Sequence, residues 1–216
     1  DPFCEEPTLS MIGDIYTLDG EIRRFEGDPR YIAEKAEKFM VSSGIADENI
    51  IGPEFEFYIF DKAAFESKAN HQEVTIDSIQ AEWNTNDIYS ENQGYKVPHK
   101  AGYHIALPYD MTHDLRSKMT LILEDLNVPI KYHHHEVGGP GQVELEVEAG
   151  RMKDMADKTY LIKYVVKNLA IKNGKTATFM PKPLYGEAGN GMHVHMWLYK
   201  DGKPLFYDKE GYSGLS

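Results

Sequence analysis

Apolar residues recur along this chain with two different spacings, and each change of spacing marks an element. "TLSMIGDIYTLDGEIRRF" predicts two extended segments joined at a hairpin-type turn, Asp19-Gly20. Asp28-Pro29 then opens a helix with a capping acid and proline at its first position. Its Ile32, Ala36, Phe39 and Met40 share one face, and Gly44 ends it. "IIGPEFEFYIF" reads as a buried strand, whereas the polar region 62–100, with its turn signals "NTND" and "ENQG", reads as long surface loops. A helix over 112–126 buries Leu115, Met119, Ile122 and Leu126, and Asn127 and Pro129 close it. "KYHHHEVGGPGQVELEVEAG" (131–150) follows as strand, turn, strand. A longer helix over 153–172 carries Leu161, Ile162, Val165, Val166 and Leu169 on one side and stops at Gly174. The strand "TATFMP", a glycine-rich loop "KPLYGEAGNG", the strand "MHVHMWLY" and a closing turn "KDGKP" complete the order. Several strands adjoin through short turns without strict alternation with helices, so the pattern predicts an α+β fold in one continuous domain.

Composition narrows the function classes. A hydrophobic fraction of 41% supports a core, and no apolar run approaches the ~20 residues of a membrane span. The formal charge of −12 argues against a nucleic-acid or anionic-membrane partner, both of which need clustered Lys and Arg. A protein with this balance gathers cations. The single Cys4 forms no internal disulfide and no secretory leader is evident, so the expected location is cytoplasmic. The chain opens on Asp1 rather than Met and stops at "GYSGLS", which suggests a piece of a longer protein.

Candidate chemistry follows from strand geometry. Side chains alternate faces along a strand, so Glu54 and Glu56 point one way, and Phe55 and Phe57 the other. Glu144, Glu146 and Glu148 likewise share a face opposite Val143, Leu145 and Val147. His193, His195 and Trp197 share one opposite Met192, Val194 and Met196. Glu136 ends the histidine run, in which alternation sends His134 with Glu136 and His133 with His135. At least one of those two pairs is therefore expected to be structural or on the surface, and Glu146 and Glu148 read as solvated acids. Gathered carboxylates repel unless protonated or neutralised by cations. Oxygen-rich sites suit Mg²⁺ or Mn²⁺, with an imidazole favouring Mn²⁺; zinc would call on cysteine.

Taken in order, "GPEFEFYIFD" (52–61), "HHHEVGGPGQVELE" (133–146), "KYVVKNLAIKNGKTATFMPKPLYGEAGNGMHVH" (163–195) and the closing "GLS" resemble type I glutamine synthetase. The resemblance implies a catalytic domain with a curved, mainly antiparallel sheet, part of an incomplete barrel, and helices on its outer side. Residues 1–216 would be part of that domain, with an N-terminal β-domain and a C-terminal remainder outside it. It implies ATP-dependent ligation of ammonia to the γ-carboxylate of L-glutamate through γ-glutamyl phosphate. Two Mg²⁺ or Mn²⁺ ions would serve the reaction, one held by Glu56, Glu136 and Glu144, the other by Glu54, His193 and a further glutamate beyond residue 216. His195, with Trp197 beside it, would meet ATP, Gly189 would meet glutamate, and Tyr103 and Glu136 would flank the ammonium pocket. Read alone, Tyr103 is a core aromatic and Gly189 a turn glycine. A homo-oligomer, a dodecamer of two rings, is implied for the intact protein.

Departures from the family pattern stand at three places. Ala188-Gly189-Asn190-Gly191 replaces the usual Asn-Gly-Ser-Gly, Trp197 stands for a serine of the ATP signature, and Lys131 stands where relatives carry an acid facing the nucleotide. They leave room for ligation to another amine, such as a polyamine, or for a non-catalytic relative. The 216 residues alone are expected not to turn over.

Overall fold

The computed structural model describes residues 1–85 and 92–216. Its elements run β1 (Tyr16–Thr17), β2 (Arg23–Arg24), α1 (Pro29–Ser42), β3 (Glu48–Phe60), β4 (Lys62–Lys68) and β5 (His71–Asp77). They continue with α2 (His113–Asp125), β6 (Ile130–His135), β7 (Gln142–Val147), α3 (Met152–Lys172), β8 (Thr176–Thr178), β9 (Val194–Lys200) and β10 (Lys203–Pro204). Every pairing between named strands is antiparallel, which with three helices makes the α+β class.

The described residues group into two compact units. The first comprises Asp1–Pro53, Ala149–Leu161 and Val194–Ser216; the second comprises Glu54–Glu148 and Ile162–His193. Because the stretches interleave, no single cut along the sequence separates them.

In the first unit β1 pairs β2 across the expected turn, where Gly20 takes the positive φ that such a turn requires. Asp28 caps α1 by accepting from the Arg30 amide, and Gly44 stops it with φ 71°. The expected buried face of α1 is not what the unit covers: Ile32 and Phe39 are exposed, and Ala33 is the buried residue. Ion pairs hold the helix instead, Arg30 to Asp157 and Glu34 to both Arg24 and Lys153. The start of β3, Glu48–Pro53, pairs with β9, setting Gly52 opposite His195 and Ile50 opposite Trp197.

In the second unit the remainder of β3 pairs with β7 and, at its end, with β8. β7 pairs on with β6, and α2 packs on β6. Phe55, Phe57, Val143, Leu145 and Val147 are all buried, as alternation predicts. The Phe57 ring meets Phe179 at 5.0 Å, with Lys163 of α3 over the Phe179 ring, so α3 lies on this apolar side. Ile162, Val165, Val166 and Leu169 of α3 are buried. In α2 the buried row is Leu115, Met119 and Leu123; Ile122 and Leu126 sit half-buried at its edge.

The expectation of loops over 62–100 is corrected by β4 and β5, which form a hairpin of seven residue pairs. Phe65 and Val74 face each other across it and both are exposed, so no buried face marked these strands in the sequence. The signals "NTND" and "ENQG" fall partly on residues 86–91, outside the described residues.

Beneath β6 lies a charged pair removed from water. Arg116 is 1% exposed and makes a bidentate contact with Asp110, at 2.9 and 2.6 Å. Breaking a buried pair strands one charge, which costs about 3–5 kcal/mol. Asp110→Ala should lose stability on that scale in a denaturant titration; a loss under ~1 kcal/mol would mean that solvent reaches Arg116.

Candidate metal centre

The ladder of β3, β7 and β6 aligns the acids. Glu56 pairs with Glu144 and Glu54 with Glu146, while His134 and Tyr132 stand opposite Glu144 and Glu146 on the far side of β7. Directly paired residues share a face, so one side of the sheet carries all six. The chain returns beside this row at Gly191–His193: the Glu54 amide donates to the His193 carbonyl and the Glu56 amide to that of Gly191. His193 thus joins the row just before β9 begins, not within that strand as its alternation suggested.

The geometry gathers two three-residue clusters with ligand atoms mutually within 4.8 Å: Glu54, Glu144 and His193, and His134, Glu136 and Glu144. His193 Nδ1 lies 3.2 Å from Glu54 Oε2 and 3.7 Å from Glu56 Oε1. His134 Nε2 lies 3.1 Å from Glu144 Oε2, and its Nδ1 lies 3.9 Å from Glu136 Oε1. Glu144 therefore belongs to both clusters, and Glu56, its partner across the β3–β7 ladder, also reaches His193. Glycine at 191 leaves room for this approach: a Cβ there would stand 2.8 Å from His193 Nε2 and 3.1 Å from Glu56 Oε1, so both side chains would have to shift.

Glu136 is 9% exposed; burial first, then the charges of Glu144 and Glu56, raises its carboxyl above the usual range. The Val137 amide donates to its Oε2 at 2.7 Å. Glu56 is steadied on Oε2 by the Gly191 amide at 2.9 Å and by Gln142 Nε2 at 3.2 Å. The donor set, four carboxylates with two imidazoles held close by backbone pairing, fits a hard divalent cation.

The three consecutive histidines have three environments. His134 donates from Nδ1 to the His135 carbonyl and faces Glu144; that hydrogen bond to Glu144 leads the causes raising its pKa. His135 is fully buried, with Nδ1 on the Glu136 carbonyl and Nε2 at 3.2 Å from Gln80, and burial lowers it. His133 accepts from Arg116 Nε on Nδ1, so the ring is neutral there. Burial, then the Arg116 charge, lowers its pKa to about 4. The pair His133 and His135 is thus the structural one. An NMR titration should place His133 near pH 4 and far from the ordinary 6.5, since protonation would set a cation against Arg116. A midpoint near 6.5 would contradict this packing.

Glu146 corrects the expectation of a solvated acid. It is 6% exposed and holds Lys131 Nζ at 2.5 Å. Its hydrogen bond with Tyr132, followed by burial, pushes that phenol up to about 12. Glu148 is exposed, as expected. Lys131, noted as a departure, therefore supplies the counter-charge at the end of the row beyond Glu54.

Tyr103 is exposed rather than a core aromatic, its ring 5.6 Å from His134 and nearly perpendicular to it. His104 stacks on His134 at 4.3 Å. Gly189 sits in the loop after β8, where its carbonyl accepts from Gln142 at 2.9 Å. A Cβ on Gly189 would meet the Pro181 carbonyl at 2.6 Å, so the residue is more than a turn glycine. His195 and Trp197 belong to the first unit, exposed and stacked at 5.9 Å on β9. Glu54, Glu56, Glu136, Glu144 and His193 all lie in the second. His134 was not singled out by its residue type, but the register opposite Glu144 is the signal that finds it.

Residues 26–216 match the family model of the glutamine synthetase catalytic domain. The glutamine synthetase of Streptomyces filamentosus is 46% identical over 217 residues, covering 100% of this chain and 46% of the relative. That of Mycobacterium tuberculosis (strain CDC 1551 / Oshkosh) is 46% identical over 223 residues with the same coverage. The cryoEM structure of Plasmodium falciparum glutamine synthetase superposes with a TM-score of 0.79 at 32% identity, over 90% of this chain and 40% of that one. The chain spans about half the length of the curated relatives it matches. With its acidic ladder and with 46% identity along its whole length, the chain belongs to the glutamine synthetase catalytic-domain family.

Proposed function

We propose that the intact protein is a glutamate–ammonia ligase and that these residues are part of its catalytic domain. The observation that carries the reading is the convergence of Glu54, Glu56, Glu136, Glu144 and His193, joined by His134, on one face of a sheet. In the reaction a γ-carboxylate oxygen of L-glutamate attacks the γ-phosphorus of ATP, ADP departs, and γ-glutamyl phosphate remains. Ammonia then attacks the carbonyl carbon of γ-glutamyl phosphate, a C–N bond forms, the C–O bond to phosphate breaks, and phosphate leaves with a proton from the amine to give glutamine.

Two divalent ions, Mg²⁺ or Mn²⁺, would neutralise and align the phosphate oxygens, the need common to phosphoryl transfers between anions. Glu54 and His193 would hold one, and Glu56, Glu136 and Glu144 the other, with Glu56 also within reach of the first through its contact with His193. His195 and Trp197 would meet the nucleotide, and Gly189 the glutamate. Tyr103 and Glu136 would receive ammonium, with Glu136 taking the proton that turns it into the nucleophile.

Among the described residues no helix is long and apolar enough to cross a membrane. We place the protein in the cytoplasm, as a dodecamer whose subunits each carry an incomplete barrel with helices outside. The N-terminal β-domain and a C-terminal remainder would complete the site, so the 216 residues alone should not turn over. A phosphate-release assay on the intact enzyme tests the reading: ammonium should drive turnover and putrescine should not. Turnover with putrescine alone would transfer the function to polyamine ligation, and glutamine formation by the 216 residues alone would refute the incompleteness.

A further inference from the structure

One buried acid stands outside the row of proposed ligands. Glu187 is 4% exposed, its Oε1 lies 2.6 Å from His99 Nδ1, and its Oε2 is buried without a hydrogen-bond partner. A buried carboxylate is costly unless it finds a partner, and the His99 ring lies within hydrogen-bond distance of it. Hydrogen bonds with an ionised partner are shorter and stronger than neutral ones, which the 2.6 Å separation fits.

What the contact holds is the loop 182–191. The residues after Glu187 reach the acidic row directly: the Ala188 carbonyl accepts from Tyr58 at 2.7 Å, and the Gly189 carbonyl and Asn190 Oδ1 accept from Gln142 at 2.9 and 3.1 Å. The Gly191 amide donates to Glu56 Oε2 at 2.9 Å. Gln142 also donates to Glu56, so one side chain is shared between the loop and the carboxylate. Apart from those to the Glu56 carboxylate, these contacts join neutral groups. The 2.6 Å contact with His99 ties Glu187, in the middle of the loop, to the segment before α2, and the Lys182 ammonium on the Glu187 carbonyl closes the loop on itself.

We propose that Glu187 is a positioning residue: with His99 it forms a charged latch that seats the loop 182–191, so that Gly191 and the Gln142 bridge keep Glu56 aimed at a bound divalent ion. The metal half of this inference rests on the function proposed above; the latch half does not. Partners that orient a metal ligand typically change affinity by ~10–100-fold when removed.

The test uses the full chain with Mn²⁺ as probe. Glu187→Gln keeps the volume and removes the charge, His99→Gln removes the partner at a half-exposed position that tolerates change, and Glu187→Asp restores the charge. Hydrogen exchange of the 182–191 amides, Mn²⁺ affinity by electron paramagnetic resonance, and melting temperature are read for each. The first two variants should exchange the loop at least ~10-fold faster and bind Mn²⁺ at least ~10-fold more weakly, while the amides of β3 and β7 stay protected. Glu187→Asp should return both readouts most of the way, because His99 can follow the shortened carboxylate. Unchanged loop exchange in Glu187→Gln would overturn the latch, as would an equal fall in melting temperature in all three variants, which marks packing alone. If the wild type takes up no Mn²⁺ while exchange follows the expected order, the latch stands and the metal reading falls.

Discussion

Glu144→Gln should weaken Mn²⁺ binding by more than ~100-fold, beyond the loss caused by removing groups that merely orient a ligand. Glu144 is the residue common to both clusters, between Glu54 with His193 on one side and Glu136 with His134 on the other. Glutamine keeps its shape and one acceptor oxygen but removes the negative charge from both places at once. The effect is also visible as stability. At a concentration 100 times its dissociation constant, a ligand that binds only the folded state adds about 2.7 kcal/mol. The wild type should gain that much with Mn²⁺, and Glu144→Gln should gain less than about 0.4 kcal/mol at the same concentration. A variant that binds and is stabilised like the wild type would remove Glu144 from the centre.

The second large effect is on turnover. In the intact enzyme, Glu136→Gln should lower kcat by about 10²–10⁴-fold, the contribution typical of a positioned general base. Glu136 is held by the Val137 amide on Oε2, which leaves Oε1 towards His134 and the open side. Burial and the neighbouring acids raise its carboxyl above the ordinary range, which favours taking up a proton. Glutamine can still accept from Val137 and cannot take a proton from ammonium. Measuring Mn²⁺ affinity in the same variant separates the two roles, because a loss of metal alone should be recovered at saturating Mn²⁺. A kcat within about threefold of the wild type at saturating Mn²⁺ would deny Glu136 the base role.

Strand alternation made much of this site legible. Glu54 with Glu56 and Glu144 with Glu146 do share faces, and the opposite faces are buried apolar residues. Alternation within one strand does not reveal which strands adjoin, and register decides the rest. His134 became part of the row because it pairs with Glu144, a relation between residues ten apart that no local spacing encodes. Glu146 read as solvated because an acid on a strand usually is; Lys131 and Tyr132 on the neighbouring strand keep it buried. Helices were legible from caps and stops, with α1 opening after Asp28 and ending at Gly44. Periodicity in α1 grouped Ile32 and Phe39 correctly, yet a shared face is not the same as a face that this unit covers. The β4–β5 hairpin stayed hidden for a related reason, since its apolar pair Phe65 and Val74 is exposed and its other positions are mostly polar.

The most direct measurement is anomalous scattering from crystals soaked in Mn²⁺. The expected result is two peaks in the second unit, one within bonding distance of Glu54 and His193 and the other of Glu56, Glu136 and Glu144. A well-occupied Mn²⁺ peak elsewhere on the chain, with none among these side chains, would contradict it.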